Sequence, residues 1–250
     1  MLSIVKTMSL IGIRGYLINV EIDVTGGLPN FDIVGLPDVS VKEAKERIRS
    51  AIRNSNIDFP SRRILVNLSP ADIRKEGTSY DLPMAVGILI TFGKIKEQNI
   101  KDVIFIGELS LDGRINKVNG ILPMCIEALK LGIKVVVLPE QNAKEASILK
   151  DLEVIGVKNL QEVVDYLNGK LKVRSTKQDV KNVFARREKY ELDFSDVKGQ
   201  EDIKRALEIT AAGGHNCILI GSPGSRKDND GKKITIYFAR FNIRGGFRNY

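Results

Sequence analysis

Two spacings of apolar residues alternate along the chain, and the switches between them mark out its elements. Residues Ile4 to Ile13 and Tyr16 to Val24 are strand-like, and Arg14-Gly15 reads as the turn between them. In the second run Ile18, Val20, Ile22 and Val24 alternate with polar neighbours, the period-two signature of a half-buried strand. Gly26-Gly27-Leu28-Pro29 breaks the chain, and Phe31 to Gly35 is a third short strand. The period then lengthens. Val41, Ala44, Ile48, Ala51 and Ile52 form one stripe of a helix that Asp38 or Ser40 can cap and that runs to about Ser55. A buried strand from Arg63 to Leu68 leads through a polar loop, Ala71 to Ser79, into a helix from Tyr80 to Phe92. That helix is apolar almost all round, so it should be buried on most sides. Val103 to Ile106 is a strand, and Gly107 to Gly113 reads as a strand entering a tight turn at Asp112-Gly113. A helix from Val118 to Leu131, a strand from Val135 to Leu138, a helix at 140–149, a strand from Glu153 to Val157 and a helix at 159–168 form an αβαβα run. That run implies a parallel sheet edge.

Residues 169–190 are charged and show no clear period, as expected of a linker. A new unit opens at Asp193, with a helix at about 201–212 and a buried strand, Cys217 to Ile220. No internal repeat is evident.

That last strand enters Gly221-Ser222-Pro223-Gly224-Ser225-Arg226-Lys227-Asp228. A phosphate-binding loop reads G-x-x-x-x-G-K-[ST], its glycines letting backbone N–H groups close on phosphate and its hydroxyl meeting Mg²⁺. Gly221 and Lys227 are in register, but Arg226 stands at the second glycine and Asp228 at the hydroxyl. Both changes oppose ATP binding: one adds a side chain where backbone must approach, the other an anion where a neutral ligand is needed. Residues 229–250 lack the helical period that should follow such a loop. With permitted codons, a reading one nucleotide later from Lys227 can spell R-T-M-M-A-K-R-L-P-S-I-L-P-D-L-T-F-E-E-A-L-E-I. This supplies the missing threonine and then an amphipathic helix. Residues 226–250 are therefore expected to be a frameshifted, non-native tail; a natural divergent C-terminus is the alternative.

Composition adds limits. The 250 residues, 43% hydrophobic and 28% charged, describe an ordinary globular protein of one large domain, or one domain and part of another. No apolar run can span a bilayer, and MLSIVKTMSL lacks the features of a signal peptide, so a cytoplasmic location is expected. Cys125 and Cys217 both fall in elements expected to be buried and imply no disulfide framework. The net charge of +8 suggests nucleic acid, but residues 226–250 hold seven cations and two acids, leaving +3 for the first 225. Lys42, Lys45, Arg47, Arg49 and Arg53 on the first helix are interleaved with Glu43 and Glu46, as on a solvated face. His215, the single histidine, sits in a turn before the last strand, where a structural or nucleotide-adjacent role suits it better than acid–base work. One histidine and two distant cysteines make no zinc site.

Five motifs in order carry a resemblance: F-D-I-V-G-L-P-D (31–38), K-E-x-x-x-R-I-R-S-A-I (42–52), V-N-L-S-P-A-D-I-R-K-E-G-T-S-Y-D-L-P (66–83), G-E-L-S-L-D-G (107–113), and D-V-K-G-Q followed by A-L-E-I-T-A-A-G-G-H-N (196–216). Over residues 1 to about 225 the chain resembles the magnesium-chelatase-like AAA+ ATPases of the YifB/ComM family. The resemblance implies an α/β (α+β) architecture: a Lon-protease-like domain over 1–168, a linker over 169–190 and the truncated start of an AAA+ module over 191–225. It also implies ATP and Mg²⁺ as cofactors of the intact family, assembly into hexamers, and ATP-driven branch migration of DNA during natural transformation. Gly199 and Gln200 match the segment beside the adenine, and Gly221, Ser222, Pro223, Gly224, Ser225 and Lys227 match the phosphate loop. The downstream acidic motif, sensor residues and arginine finger have no counterpart here, so ATP hydrolysis by this chain is not expected.

The Lon resemblance raises a second function class, a serine peptidase. Lys75-Glu76-Gly77-Thr78-Ser79-Tyr80-Asp81 resembles the nucleophile segment K-D-G-P-S-A-G and puts Ser79 at the nucleophile position. The base should be a lysine, but Leu122 in Asn119-Gly120-Ile121-Leu122 stands there and cannot take a proton. Ser79 is then a helix N-cap or loop hydroxyl, and no catalytic residue is assigned. A third class is a chelatase-type metal-insertion subunit, which would need a partner subunit.

Overall fold

A computed structural model describes residues 1–173, 175–176, 199–213 and 215, and the chain divides into two compact units, Met1–Asp179 and Val180–Tyr250. The first unit is built on a seven-stranded sheet. Its strands in chain order are β1 (Leu2–Ile11), β2 (Arg14–Thr25), β3 (Asn30–Val34), β4 (Arg63–Ser69), β5 (Val103–Phe105), β8 (Val135–Pro139) and β9 (Glu153–Val157); β6 (Glu108–Leu109) and β7 (Ile115–Asn116) form a separate hairpin. The spatial order is β3-β4-β2-β1-β5-β8-β9. β1 with β2 and β2 with β4 are antiparallel, and the other four pairs are parallel, so the expected parallel edge is present as β5-β8-β9.

Helices cover both faces where the strands are apolar on both faces. On one face lie α1 (Val39–Asn54), α2 (Asp81–Thr91) and α5 (Leu160–Leu167), packed on Val5, Val20, Ile22, Val66, Val137 and Ile155. On the other lie α3 (Ile121–Lys130) and α4 (Glu140–Ala146), packed on Met8, Ile104, Val136, Leu138 and Val154. The buried residues of α1 are the five of the predicted stripe, and Asp38 caps it by accepting from the Val41 N–H at 2.8 Å. All eleven residues of α2 are buried, as its uniform apolarity requires. Gly87 is where α2 approaches the sheet most closely: a Cβ there would lie 2.0 Å from Ile22 Cδ1.

The sequence reading needs several corrections. The first hairpin turns at Gly12-Ile13, with Ile11 paired to Arg14, not at Arg14-Gly15. Gly15 is buried in β2 because α3 passes over it, where a Cβ would meet Glu127 Cβ at 2.8 Å. α3 starts at Ile121, not Val118, because Gly120 adopts φ +76 and the Val118 backbone is held by both amide atoms of Asn142. α4 ends at Ala146, not 149, and a 3₁₀ turn at Glu97–Ile100 carries no periodic signal. The hairpin after Gly107 does turn tightly at Asp112-Gly113: the Gly113 N–H donates to Ser110 O at 2.9 Å with Gly113 at φ +86, and the Ser110 N–H donating to Arg114 O makes the loop three residues long. The start of the segment read as a linker lies against the first unit: Val173 packs on its core and the Thr176 N–H donates to Val154 O on β9.

In the second unit the described element is α6 (Glu201–Gly213), with Leu207 and Ala211 buried. The strand expected at Cys217 to Ile220, the phosphate loop and residues 226–250 lie outside the described residues. Cys125 is a buried free cysteine whose thiol burial pushes up to about 12, so it is inert.

Candidate functional site

The loop before α2 and the β6–β7 hairpin converge on a polar cluster that Arg47 enters from the middle of α1. Asp81 opens α2 and is the one carboxylate in a helix that is otherwise apolar. Buried charge needs a partner, and Arg47 of α1 supplies one. Arg47 Nε donates to Asp81 Oδ2 at 2.7 Å and its Nη2 to Oδ1 at 3.0 Å, a bidentate pair with side chains 21% and 1% exposed. The Leu109 N–H also donates to Asp81, at 3.2 Å, and Arg47 reaches Ser40 O, so α1, α2 and β6 are joined through one carboxylate. Burial pushes the Asp81 carboxyl up to about 6 against the pull of Arg47.

Glu108 is a second node. It accepts from the Thr78 hydroxyl and from Asn116 Nδ2. Burial alone would raise it, but these hydrogen bonds and the Arg47 charge hold it below the ordinary carboxylate range. Asp38 is held low in the same way: burial acts upward, while the N–H groups of Val41 and Gly77, the Ser40 hydroxyl and the Arg74 charge outweigh it. Lys75 is fully buried, with its ammonium donating to Pro70 O, and burial lowers its pKa. Tyr80 donates its hydroxyl to Ser9 Oγ at 2.7 Å, and burial raises its pKa to about 12.

Ser79, at the nucleophile position, lies among these groups and is nearly buried. The N-cap of α2 is Tyr80 and has no side-chain cap bond, so of the two alternatives Ser79 is the loop hydroxyl and not the cap. Among the described residues its hydroxyl meets no base, and its carbonyl accepts from Gly107 N–H at 3.0 Å. Leu122, at the base position, offers only its backbone N–H, to Glu145. The arrangement holds charge in place and contains no nucleophile–base pair.

The other residues singled out from sequence are dispersed. Of the five α1 cations, Arg47 turns inward, Arg49 pairs with Glu46 and lies over the Phe59 ring at 5.6 Å, Lys45 is half-buried, and Lys42 and Arg53 are exposed. Gly199 and Gln200 both adopt positive φ, +73 and +59, and Gln200 O accepts from the Lys204 N–H at the start of α6. The backbone N–H of His215 donates to Thr210 O, closing the C-terminus of α6. Gly221, Ser222, Pro223, Gly224, Ser225 and Lys227 lie outside the described residues. Among the described residues no group of three or more His, Cys, Asp or Glu is placed to hold a metal ion, and no helix is long and apolar enough to cross a membrane.

The sequence reading missed Asp81–Arg47 and Glu108 as linked groups. Two signals were present: a lone acid in an apolar helix, and Arg47 one position from the buried stripe of α1.

Two family descriptions match the chain: subunit ChlI of magnesium chelatase over residues 20–142, and magnesium chelatase subunit ChlI over residues 193–241, a span that crosses Arg226. The competence protein ComM of Haemophilus influenzae is 38% identical over 235 residues, 94% of this chain and 46% of that protein. The protein YifB of Salmonella typhimurium is 41% identical over 227 residues, 90% of this chain and 44% of that protein. A Lon protease of Trichlorobacter lovleyi is 27% identical over 173 residues, 64% of this chain and 21% of that protease. The chain thus spans less than half the length of the ComM and YifB relatives. Its mixed, mostly parallel sheet fits the Lon relationship, and the chain belongs to the magnesium-chelatase-like family of ComM and YifB.

Proposed function

We propose that this chain is the N-terminal part of an ATP-driven motor acting on DNA, with a first unit (1–168 in the sequence reading) that is a non-catalytic module for assembly or partner contact. The observation that carries the non-catalytic part is the state of Ser79: nearly buried, without a base among the described residues, and beside carboxylates already committed to Arg47, Thr78 and Asn116. The DNA part rests on similarity to a competence protein, and branch migration and hexamer assembly are the family's expected activities. A cytoplasmic site of action belongs to the same reading.

The ATP and Mg²⁺ of this reading belong to an intact phosphate loop. Arg226 and Asp228 depart from it, and a shifted frame from about Arg226 accounts for both departures and for the aperiodic residues after them. The test is to sequence the gene across codon 226 and express both this chain and the frame-restored, longer protein. The longer protein should hydrolyse ATP in a manner stimulated by branched DNA, and this chain should not. Labelling of Ser79 by a fluorophosphonate probe would overturn the non-catalytic reading. A restored protein indifferent to DNA would overturn the motor reading.

A further inference from the structure

The half of the sheet formed by β3, β4, β2 and β1 is covered by helices on one face, while among the described residues much of its other face is open. Two cross-strand rows define the open part. One runs Leu2, Asp23, Leu65, Asp32; the next runs Ile4, Glu21, Asn67, Val34. Leu2, Ile4, Leu65 and Val34 are all exposed, so the face is apolar with acids between the apolar side chains. Of its three carboxylates Asp23 lies 3.6 Å from the Met1 ammonium, Glu21 accepts from Asn67 Nδ2 and Asp32 stands on the edge strand, a net negative face that does not suit phosphate.

The same chain carries a surface of opposite character. At the β1–β2 turn Ile13 is 77% exposed and flanked by exposed Ile11 and Arg14. A two-residue turn requires the positive φ that Gly12 provides (+61) but asks for no apolar side chain at Ile13. This tip cannot reach its own open face: Ile4 and Ile11 lie on one extended strand, seven residues and so about 23 Å apart.

We propose that the open face of one copy receives the Ile11–Arg14 turn of a second copy, the isoleucines packing on Leu65 and Ile4 and Arg14 meeting Glu21, which has a hydrogen bond from Asn67 but no ion pair among the described residues. Face-to-face pairing is disfavoured because it would oppose like charges. The contact is heterologous, leaving a free tip on one copy and a free face on the other, so it adds further copies until a ring closes or a filament grows. It does not depend on ATP use or on the fate of Ser79.

The experiment is sedimentation velocity of the full chain over a concentration series at low and high salt, with Ile13→Asp and Leu65→Lys variants, each checked for a native circular dichroism spectrum. The wild type should form species larger than dimers, less so at high salt. Each variant alone should be monomeric, its dissociation constant raised by at least about tenfold. An equimolar mixture of the two variants should form dimers and nothing larger, because it retains one intact tip and one intact face. A wild type that stays monomeric, assembly unchanged by both variants, or a mixture that stays monomeric would each overturn the proposal.

Discussion

The Asp81–Arg47 pair sets burial against charge pairing, and Asp81→Asn shows which dominates. Asp81 is almost fully buried, and its carboxyl is raised to about 6. An unfolded aspartate titrates near 3.9, so the shift is roughly two units, or about 3 kcal/mol at about 1.4 kcal/mol per unit. The sign follows from the direction. The folded state holds the proton more tightly, so the stabilisation is fully present below about pH 4 and is lost as pH rises through about 6. Asparagine cannot titrate, yet it fills the same volume and can accept from Arg47. Asp38 and Glu108, both held low, add the opposite slope to both proteins and largely cancel in the difference. The assay is urea unfolding of wild type and Asp81→Asn at pH 4, 5, 6 and 7, followed by far-ultraviolet circular dichroism. Relative to wild type, the variant should gain up to about 3 kcal/mol between pH 4 and pH 7. If the wild type instead gains on the variant as pH rises, Arg47 outweighs burial and the reasoning fails.

Gly35 sits at φ +97 with a Cβ position 2.3 Å from Leu68 O, so Gly35→Ala combines backbone strain with a backbone clash. It should cost about 3 kcal/mol or more, read as a large drop in melting temperature. Tyr80→Phe strands the Ser9 hydroxyl in the core and should cost about 1–2 kcal/mol, part of which Ser9→Ala in the same chain should restore. Fluorescent ATP should bind this chain weakly or not at all by anisotropy. If Arg226→Gly with Asp228→Thr does not improve binding, more than the loop is missing.

The elements that could be read from sequence are those that bury one face. The α1 stripe, the alternation in β2 and the uniform apolarity of α2 follow from burial alone, and each lies where its pattern puts it. The misreadings share a cause: tertiary contacts decided them. Gly15 looks like a turn residue but is a glycine because α3 crosses it, and Val118 looks helical but is bonded to Asn142. The polar cluster was legible only in part. The Ser79 segment stands out as a motif, but Arg47 and Asp81 are 34 residues apart, and nothing local says that two charges so separated are joined.

The place of β1 bears on how this protein is made. The ten residues of β1 are synthesised before every other strand of this sheet yet end up in its middle, between β2 and β5. β2, β3 and β4 follow within seventy residues and can assemble on one side early. The strand that closes the other side, β5, is not synthesised until residue 103. Until then β1 offers an unpaired edge with Met8 bare beside it, the kind of surface on which nascent chains associate wrongly. A deletion of these ten residues would therefore divide the sheet between β2 and β5 rather than trim an edge.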